Sequence, residues 1–482
     1  MMIRVFEKLL LKCQCISGVF LLVFILVGTS YAQESYQDLT FPPLQFTVPE
    51  VERHTLENGM TIFFVEDHEL PVISMYALVR TGQIYESEEK IGLAVITSEV
   101  MRTGGTTSRS PDEVNETLEY LAASVEVDIH EESGSVELWT LKKNLDTSLE
   151  VFVDVMRNPG FEQAKVELAK NQMLEIIRRR NDSPESIRSR EMMRIVYGKK
   201  HPLARIPQVD TIENISRDDL VAFHQQYFHP NNVMLAVTGD FEPGEMLRKL
   251  NAVFQDWQPA ELTFPEVETV KYEFSPSVHL IHKDVAQTNL ALGHLGIKAD
   301  NPDYPAVRVL DSILGSGGYS SRLFQKVRVE RGLAYSVGSY LGAGTRDYSV
   351  FLLFCGTRND AVHEAVDVIL AEIKTLTETE VSDRELEAAK NQYLNSYIFK
   401  FATVDDIIRR KMFYEYIGYP SDFLETFRDS VMKVTKADVL RVAREYLHPE
   451  NMIILAVGNR EEISEPLATF GQVQELELEA VE

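Results

Sequence analysis

Two side chains in the second half of the sequence, Arg328 and Tyr335, are of types that can act on a peptide bond. A guanidinium group can bind a peptide carbonyl, and a phenol can donate a hydrogen bond to the oxyanion that develops there. Each residue also has an ordinary structural interpretation. Arg328 then forms a surface ion pair with Glu330, and Tyr335 is an aromatic residue of a sheet whose hydroxyl is satisfied.

The other reactive side chains show no catalytic pattern. Cys355 lies in an apolar run, which predicts a buried and inert thiol. His279 and His282 stand three apart on a predicted strand, so they point to opposite faces. His224 and His229 lack a third partner. The histidines therefore predict no metal site.

A glycine-rich loop, residues 315–318, precedes Arg328. No Gly-Lys-Ser/Thr follows it, so the loop does not predict a phosphate site. Its simplest interpretation is a tight turn between a helix and a strand.

The elements that would position these residues occur twice. Ala-Lys-Asn-Gln stands at 169–172 and at 389–392, and the run 227–237 returns at 446–457 with the same Tyr-x-His-Pro start. A period of about 220 residues indicates a duplicated domain, since solenoid repeats are only ~20–50 residues long. Two such halves could face each other and enclose a cleft.

Each half predicts an α+β domain, a mostly antiparallel sheet with helices on one face. Asn58-Gly59 between two apolar runs predicts a hairpin. After the strand 348–355, three helical stretches are predicted before a last strand at 452–457. The predicted domains are 51–258 and 278–482, joined by a Pro- and Glu-rich linker at 259–277. Further strands are predicted at 72–80, 125–129, 135–140, 278–282, 287–295 and 334–341, and a helix is predicted over 304–314.

The net charge is −26, which argues against a nucleic-acid partner because the phosphate backbone would be repelled. The acidic residues are scattered. This favours a general solubility effect over an acidic cleft for basic peptides.

The first 32 residues predict a cleavable secretory signal peptide, with basic residues before the apolar run 16–27 and a small-residue site ending at Ala32. The run is shorter than the ~20 residues that span a bilayer. We therefore expect cleavage after Ala32, a secreted or periplasmic protein, and no membrane association of the mature chain. Residues 33–50 are predicted to be extended.

The segment Gly92–Thr106 resembles the active-site helix of the pitrilysin-like (insulinase, M16) zinc peptidases. That family reads Gly-x-Ala-His-x-x-Glu-His, in which two histidines one turn apart bind zinc and the glutamate polarises the attacking water. Val95, Ser98 and Glu99 occupy those positions here. Valine cannot ligate a metal and serine is no general base at neutral pH, so we expect a degenerate site without zinc.

The family's further glutamate ligand falls at Glu175 or at Ile176, depending on the alignment. One or two carboxylates without imidazole would hold zinc poorly. The resemblance covers the whole mature chain. It implies two LuxS/MPP-like metallohydrolase domains that form a clamshell.

The second half fits the family more closely. There, an arginine and a tyrosine seven residues apart hold the substrate at the zinc, and Arg328 and Tyr335 match that spacing. In some members a glycine-rich loop touches the peptide. The resemblance carries that role to Gly315, Gly317 and Gly318 as candidate substrate-binding residues.

The resemblance thus implies the non-catalytic subunit of an exported heterodimeric metallopeptidase. Such a subunit supplies Arg328 and Tyr335 to a partner that holds zinc on an intact His-x-x-Glu-His, and it has no cofactor of its own. A non-enzymatic scaffold or peptide-binding module of the same fold is the alternative. A third hypothesis is a self-sufficient peptidase with another centre, but we expect the chain alone to be inactive.

Overall fold

The structure is a computed structural model that describes residues 50–399, 401 and 403–479. The predicted signal peptide, 1–32, lies outside the described residues. So does the predicted extended segment, 33–50, except for its last residue.

Two six-stranded sheets, one in each half, form the framework. A separate two-stranded pair, β9 with β11, joins the second half's loops. The strands are β1 (Glu52–Thr55), β2 (Thr61–Glu66), β3 (Val72–Val79), β4 (Ser124–Ile129), β5 (Gly134–Leu141), β6 (Val233–Gly239), β7 (Ser277–His282), β8 (Gln287–Leu295), β9 (Ile297–Lys298), β10 (Ala334–Tyr340), β11 (Ala343–Gly344), β12 (Val350–Arg358), β13 (Ile453–Gly458) and β14 (Val473–Glu475).

Helices connect the strands and cover the sheets. They are α1 (Leu93–Thr103), α2 (Pro111–Leu121), α3 (Leu145–Arg157), α4 (Gln163–Arg179), α5 (Pro184–Tyr197), α6 (Val209–Glu213), α7 (Arg217–Tyr227), α8 (Pro243–Phe254), α9 (Tyr304–Asp311), α10 (Val362–Glu378), α11 (Asp383–Phe399), α12 (Val404–Tyr416), α13 (Phe423–Lys433), α14 (Lys436–Tyr446) and α15 (Arg460–Ala468).

The two sheets repeat one strand order. The first runs β1-β2-β6-β3-β5-β4, and the second, read from its other end, runs β14-β7-β13-β8-β12-β10. Neighbouring strands are mostly antiparallel, while β2 with β6, and β7 with β13 and β14, are parallel. The outermost strand differs, because β1 precedes its neighbour in the chain whereas β14 comes from the end of the second half. This topology matches the duplication expected from the sequence.

Local signals located most strands. Asn58-Gly59 closes the β1–β2 hairpin, and Gly59 takes the left-handed φ of +87° that such a turn requires. The Asn58 side chain also donates to the Phe254 carbonyl at 2.8 Å. The prediction of three helical stretches after β12 is wrong, since the described residues between β12 and β13 form five helices, α10 to α14.

Each half buries its own apolar core between its sheet and its helices. In the first half this core includes Ile62, Met75 and Phe152, and in the second it includes Leu292, Leu353 and Val366. The predicted layer of helices on one face of each sheet is present in both halves.

The opposite face of each sheet carries a helix from the other half. From α5 of the first half, Ile187 and Met192 pack onto β8 and β13 of the second sheet. From α12 of the second half, Ile408 and Met412 pack onto β2, β3 and β6 of the first sheet. The two halves are therefore joined by a reciprocal exchange of helices.

The stretch 259–276, predicted as part of a linker, forms no helix or strand but is held at several points. The Phe264 ring packs against Tyr85 and Tyr227 with centroids 5.4 and 5.9 Å away. The Val270 amide donates to Asp347 at 2.8 Å. Among the described residues, no helix is long and apolar enough to cross a membrane.

Candidate functional site

The counterpart of a zinc helix, α1, has its three degenerate positions on one side. Val95 and Glu99 lie one turn apart, half-buried and exposed, and Ser98 between them is buried. The Ser98 hydroxyl donates to the Val95 carbonyl at 2.9 Å, so the helix backbone already engages it. Valine offers no donor atom, and these residues do not fit a zinc ion.

The glutamate at the position of the family's further zinc ligand pairs with arginine side chains instead. Glu175 on α4 is half-buried and pairs with Arg179 at 2.6 Å and Arg178 at 3.6 Å. Ile176 is exposed. Within the described part of the chain, no group of three or more His, Cys, Asp or Glu residues is placed to hold a metal ion.

A buried carboxylate that the sequence analysis missed, Glu86, holds the start of α1. Its two oxygens accept from the backbone N–H groups of Ala94 at 2.7 Å and Gly92 at 3.1 Å. Burial raises the pKa of Glu86 to about 7, although these hydrogen bonds and Arg205 oppose the shift. Gly92 at the helix start has no capping side chain, and this was the available signal that another residue must satisfy those N–H groups.

The Arg328 side chain lies between two aromatic rings in the second half. Its guanidinium carbon is 4.8 Å from the centre of the Phe324 ring and 4.6 Å from the centre of the Tyr335 ring. One Nη1–H donates to the Tyr335 carbonyl at 2.9 Å. The alternative ion pair with Glu330 is not formed, because Glu330 instead binds Lys326 at 2.8 Å.

Tyr335 is presented by an irregularity in β10. Ala334 pairs with Thr357 and Ser336 with Gly356, so Tyr335 is the extra residue of a β-bulge. Bulges redirect side chains next to functional sites. The Tyr335 side chain is 80% exposed, and its hydroxyl makes no hydrogen bond to a described residue. The alternative of a packed sheet aromatic with a satisfied hydroxyl is not what the structure shows.

The glycine loop follows α9 through a π-helical turn at Ser312–Ser316. A Cβ on Gly315 would lie 2.4 Å from the Ser339 amide, and one on Gly317 would lie 2.1 Å from the Ser312 carbonyl, so both positions need glycine for close backbone approach. Gly318 has a φ of +58° and open space beside it.

The repeated Ala-Lys-Asn-Gln segment supports this loop in one half only. In the second half the Gln392 side chain accepts from the Ser312 hydroxyl at 2.9 Å and donates to the Ser316 carbonyl at 3.4 Å. In the first half Gln172 is exposed, while Lys170 holds the carbonyls before α7. The two copies thus share a scaffold but use the repeated side chains differently.

The remaining reactive side chains are engaged by their surroundings. Cys355 is fully buried, and burial raises the pKa of its thiol to about 12. Burial lowers the pKa of His224 to about 4, and its Nε2–H donates to the Met156 carbonyl at 2.8 Å. His279 is buried beside Ser277, while His282 accepts from the Arg460 amide.

Comparison with known proteins identifies the class to which this arrangement belongs. Residues 63–206 match the family described as "Insulinase (Peptidase family M16)", and residues 214–393 match the "Peptidase M16 inactive domain". The chain belongs to the M16 peptidase family. With Val95 and Ser98 at ligand and base positions, it is of the non-catalytic type.

Relatives extend over most of the chain. A Rickettsia bellii protein named "Uncharacterized zinc protease" is 26% identical over 400 residues, which cover 80% of this chain and 93% of that protein. A Helicobacter pylori protein named "Non-peptidase homolog YmxG" is 24% identical over 405 residues, which cover 83% and 92%.

Two solved structures share the fold. The peptidase M16 inactive domain from Pseudomonas fluorescens has a TM-score of 0.77 at 24% identity and covers 85% of this chain and 98% of its own. A protease from Helicobacter pylori has a TM-score of 0.75 at 22% identity, covering 85% and 99%.

Proposed function

We propose that this protein is the non-catalytic subunit of an M16-type heterodimeric metallopeptidase. It places Arg328 and Tyr335 over the zinc site of a partner that carries an intact His-x-x-Glu-His. The observation that carries the proposal is the contrast within the chain. The α1 positions lack metal ligands, whereas Tyr335 is exposed on a bulge with Arg328 stacked against it.

The geometry of the pair suits binding of a peptide carbonyl. Arg328 makes no ion pair with a described carboxylate and uses one N–H on the Tyr335 carbonyl, so most of its five N–H donors remain available. Stacking on Phe324 fixes the guanidinium plane without using a donor. The Tyr335 hydroxyl is then free to donate to an oxyanion.

The proposal includes export of the protein from the cytoplasm. The chain is expected to lose residues 1–32 and to act in the periplasm or outside the cell. Intact-mass measurement on the protein recovered from that compartment should give a chain that begins at Gln33. Retention of residues 1–32 on the exported protein would contradict this part.

The decisive experiment is reconstitution of the chain with a zinc-bearing M16 partner and assay of peptide hydrolysis. Removal of an oxyanion donor typically lowers kcat by about 10²–10³. We expect Tyr335→Phe and Arg328→Ala each to lower kcat in this range while the complex still assembles. Tyr120→Phe and Arg248→Ala change the same residue types at exposed positions on α2 and α8 of the first half, and they should leave kcat unchanged.

The alternative, a scaffold or peptide-binding module without enzymatic role, is favoured by the name of the Helicobacter pylori relative, "Non-peptidase homolog". It predicts unchanged hydrolysis in both variants of the Arg328/Tyr335 pair. It also predicts a stable complex with a partner that lacks His-x-x-Glu-His.

A further inference from the structure

A cavity of about 270 Å³ lies in the second half, apart from Arg328 and Tyr335. It is formed by α9, by the end of β10, by β11 and α11, and by α12 and α13 with the turn between them. Three of its lining residues, Tyr304, Tyr340 and Tyr414, come from three different elements. The volume is sufficient for one aromatic ring with a short polar group.

The wall of this cavity is a continuous set of aromatic rings. Phe423 lies 4.8 Å from Tyr414, 3.9 Å from Tyr419 and 5.2 Å from Phe427, measured between ring centres. Tyr304 continues the set, 5.1 Å from Phe427. Such walls bind flat apolar bodies, because aromatic pairs gain from offset and edge contacts beyond simple burial.

The charge of the cavity is positive although the protein carries a net charge of −26. Two guanidinium groups, Arg308 and Arg410, line it, and no carboxylate does so among the described residues. Arg308 is paired with Asp311 at 2.9 Å. Arg410 is exposed and forms no ion pair within the described part of the chain, so its charge is available to an anion in the cavity.

Tyrosine hydroxyls add neutral hydrogen-bond donors beside this charge. The Tyr304 and Tyr414 hydroxyls make no hydrogen bond to a described residue, whereas Tyr419 donates to the Ala299 carbonyl at 2.5 Å. Burial raises the pKa of Tyr304 and Tyr414, so both remain protonated donors at neutral pH.

We propose that this cavity binds a carboxylate that carries an aromatic body. The carboxylate pairs with Arg410, and the ring lies against the wall that includes Tyr304 and Phe423. A guanidinium offers a planar pair of donors that suits a carboxylate. The ligand is either the C-terminal aromatic residue of a peptide or a free aromatic acid. The inference does not depend on the proposed peptidase role, because it uses neither Arg328 nor Tyr335.

Ligand-observed NMR on the full chain tests this with three probes. N-acetyl-phenylalanine and 3-phenylpropionate carry the carboxylate, and N-acetyl-phenylalanine amide lacks it. For ligands of this size we expect Kd on the order of 1 mM or tighter for the acids. The amide should bind at least about tenfold more weakly, as expected for loss of a charged hydrogen-bonded contact. Tighter binding of N-acetyl-phenylalanine would indicate a peptide C terminus, and tighter binding of 3-phenylpropionate would indicate a free acid.

The variant Arg410→Gln tests whether this arginine binds the carboxylate. It should remove the preference for acid over amide, while Arg428→Gln, at an arginine that pairs with Asp429 outside the cavity, should preserve it. Equal affinity for acid and amide in the unmodified chain would overturn the proposal, and that comparison needs no variant to fold. Absence of binding by either acid, or full acid preference in a folded Arg410→Gln variant, would overturn it equally.

Discussion

The buried carboxylate at the start of α1 gives the most quantitative prediction. Replacement of Glu86 by glutamine keeps the shape of the side chain and removes its titration. Burial raises the pKa of Glu86 from an ordinary 4.5 to about 7 in the folded protein. The unfolded chain therefore releases this proton at lower pH than the folded one does.

The direction of the pH dependence of stability follows from the higher pKa of Glu86 in the folded chain. Stability from neutral Glu86 is fully present below pH 4.5 and is lost as the pH rises through about 7. One pKa unit corresponds to 1.36 kcal/mol. Between pH 5 and pH 8 this group should therefore lower the free energy of unfolding of the unmodified chain by about 2.5 kcal/mol.

Urea denaturation followed by circular dichroism at pH 5, 6, 7 and 8 measures this effect. The informative quantity is the difference between Glu86→Gln and the unmodified chain, because that difference cancels the titration of every other group. That difference should shift in favour of the variant by about 2.5 kcal/mol from pH 5 to pH 8. Glu119→Gln, at an exposed position on α2, is the matched control and should show no such trend. A difference for Glu86→Gln that stays constant with pH would refute the reasoning.

Two further predictions follow from burial. Met412→Ala, in the helix that crosses to the first sheet, should lower the free energy of unfolding measured by urea titration by about 2–5 kcal/mol, since Met412 is fully buried. The control Met432→Ala, at a site 37% exposed, should lower it by about 1 kcal/mol or less. An equal loss of stability at both sites would contradict the burial of Met412. Cys355 should not react with a thiol-specific chromogenic disulfide in the native protein and should react fully in denaturant, because its thiol is buried with a raised pKa; rapid native reaction would show that the site opens.

The strands were predictable because their signals are local. Alternation and turn residues located β8 at Gln287–Leu295 with both ends as predicted. The cap of α7 is equally local, since the Ser216 hydroxyl accepts from the Asp219 amide. Such features depend on a few neighbouring residues, and one sequence suffices to find them.

The helix α5 was not predicted, and its contacts explain why. It carries Arg188, Glu191 and Arg194, which suggest an exposed segment, yet all three are buried. The Arg188 guanidinium lies over the Phe354 ring at 5.4 Å, and Arg194 binds Glu479 from the end of the other half. Residues distant in the chain determine this burial, so no local pattern reveals it.

The candidate site was predictable where it depends on local sequence and not where it depends on contacts between distant residues. The spacing of Arg328 and Tyr335 and the absence of ligands at Val95 and Ser98 are properties of the sequence. The bulge that exposes Tyr335 depends on the register with β12, and the aromatic cavity depends on the turn between α12 and α13. Their roles stay predictions until the reconstituted complex and the binding experiments are done.

The reciprocal exchange of helices has a consequence for how such a chain can be divided. A first half expressed alone would leave Phe63 and Leu78 uncovered, because Ile408 and Met412 belong to the other half. Large exposed apolar patches promote self-association. Two copies of one half could cover each other by the same exchange, as in a domain-swapped dimer. The chain is thus equivalent to an intertwined twofold dimer fused by its linker, and fusion allows the two halves to diverge in chemistry without losing the shared architecture.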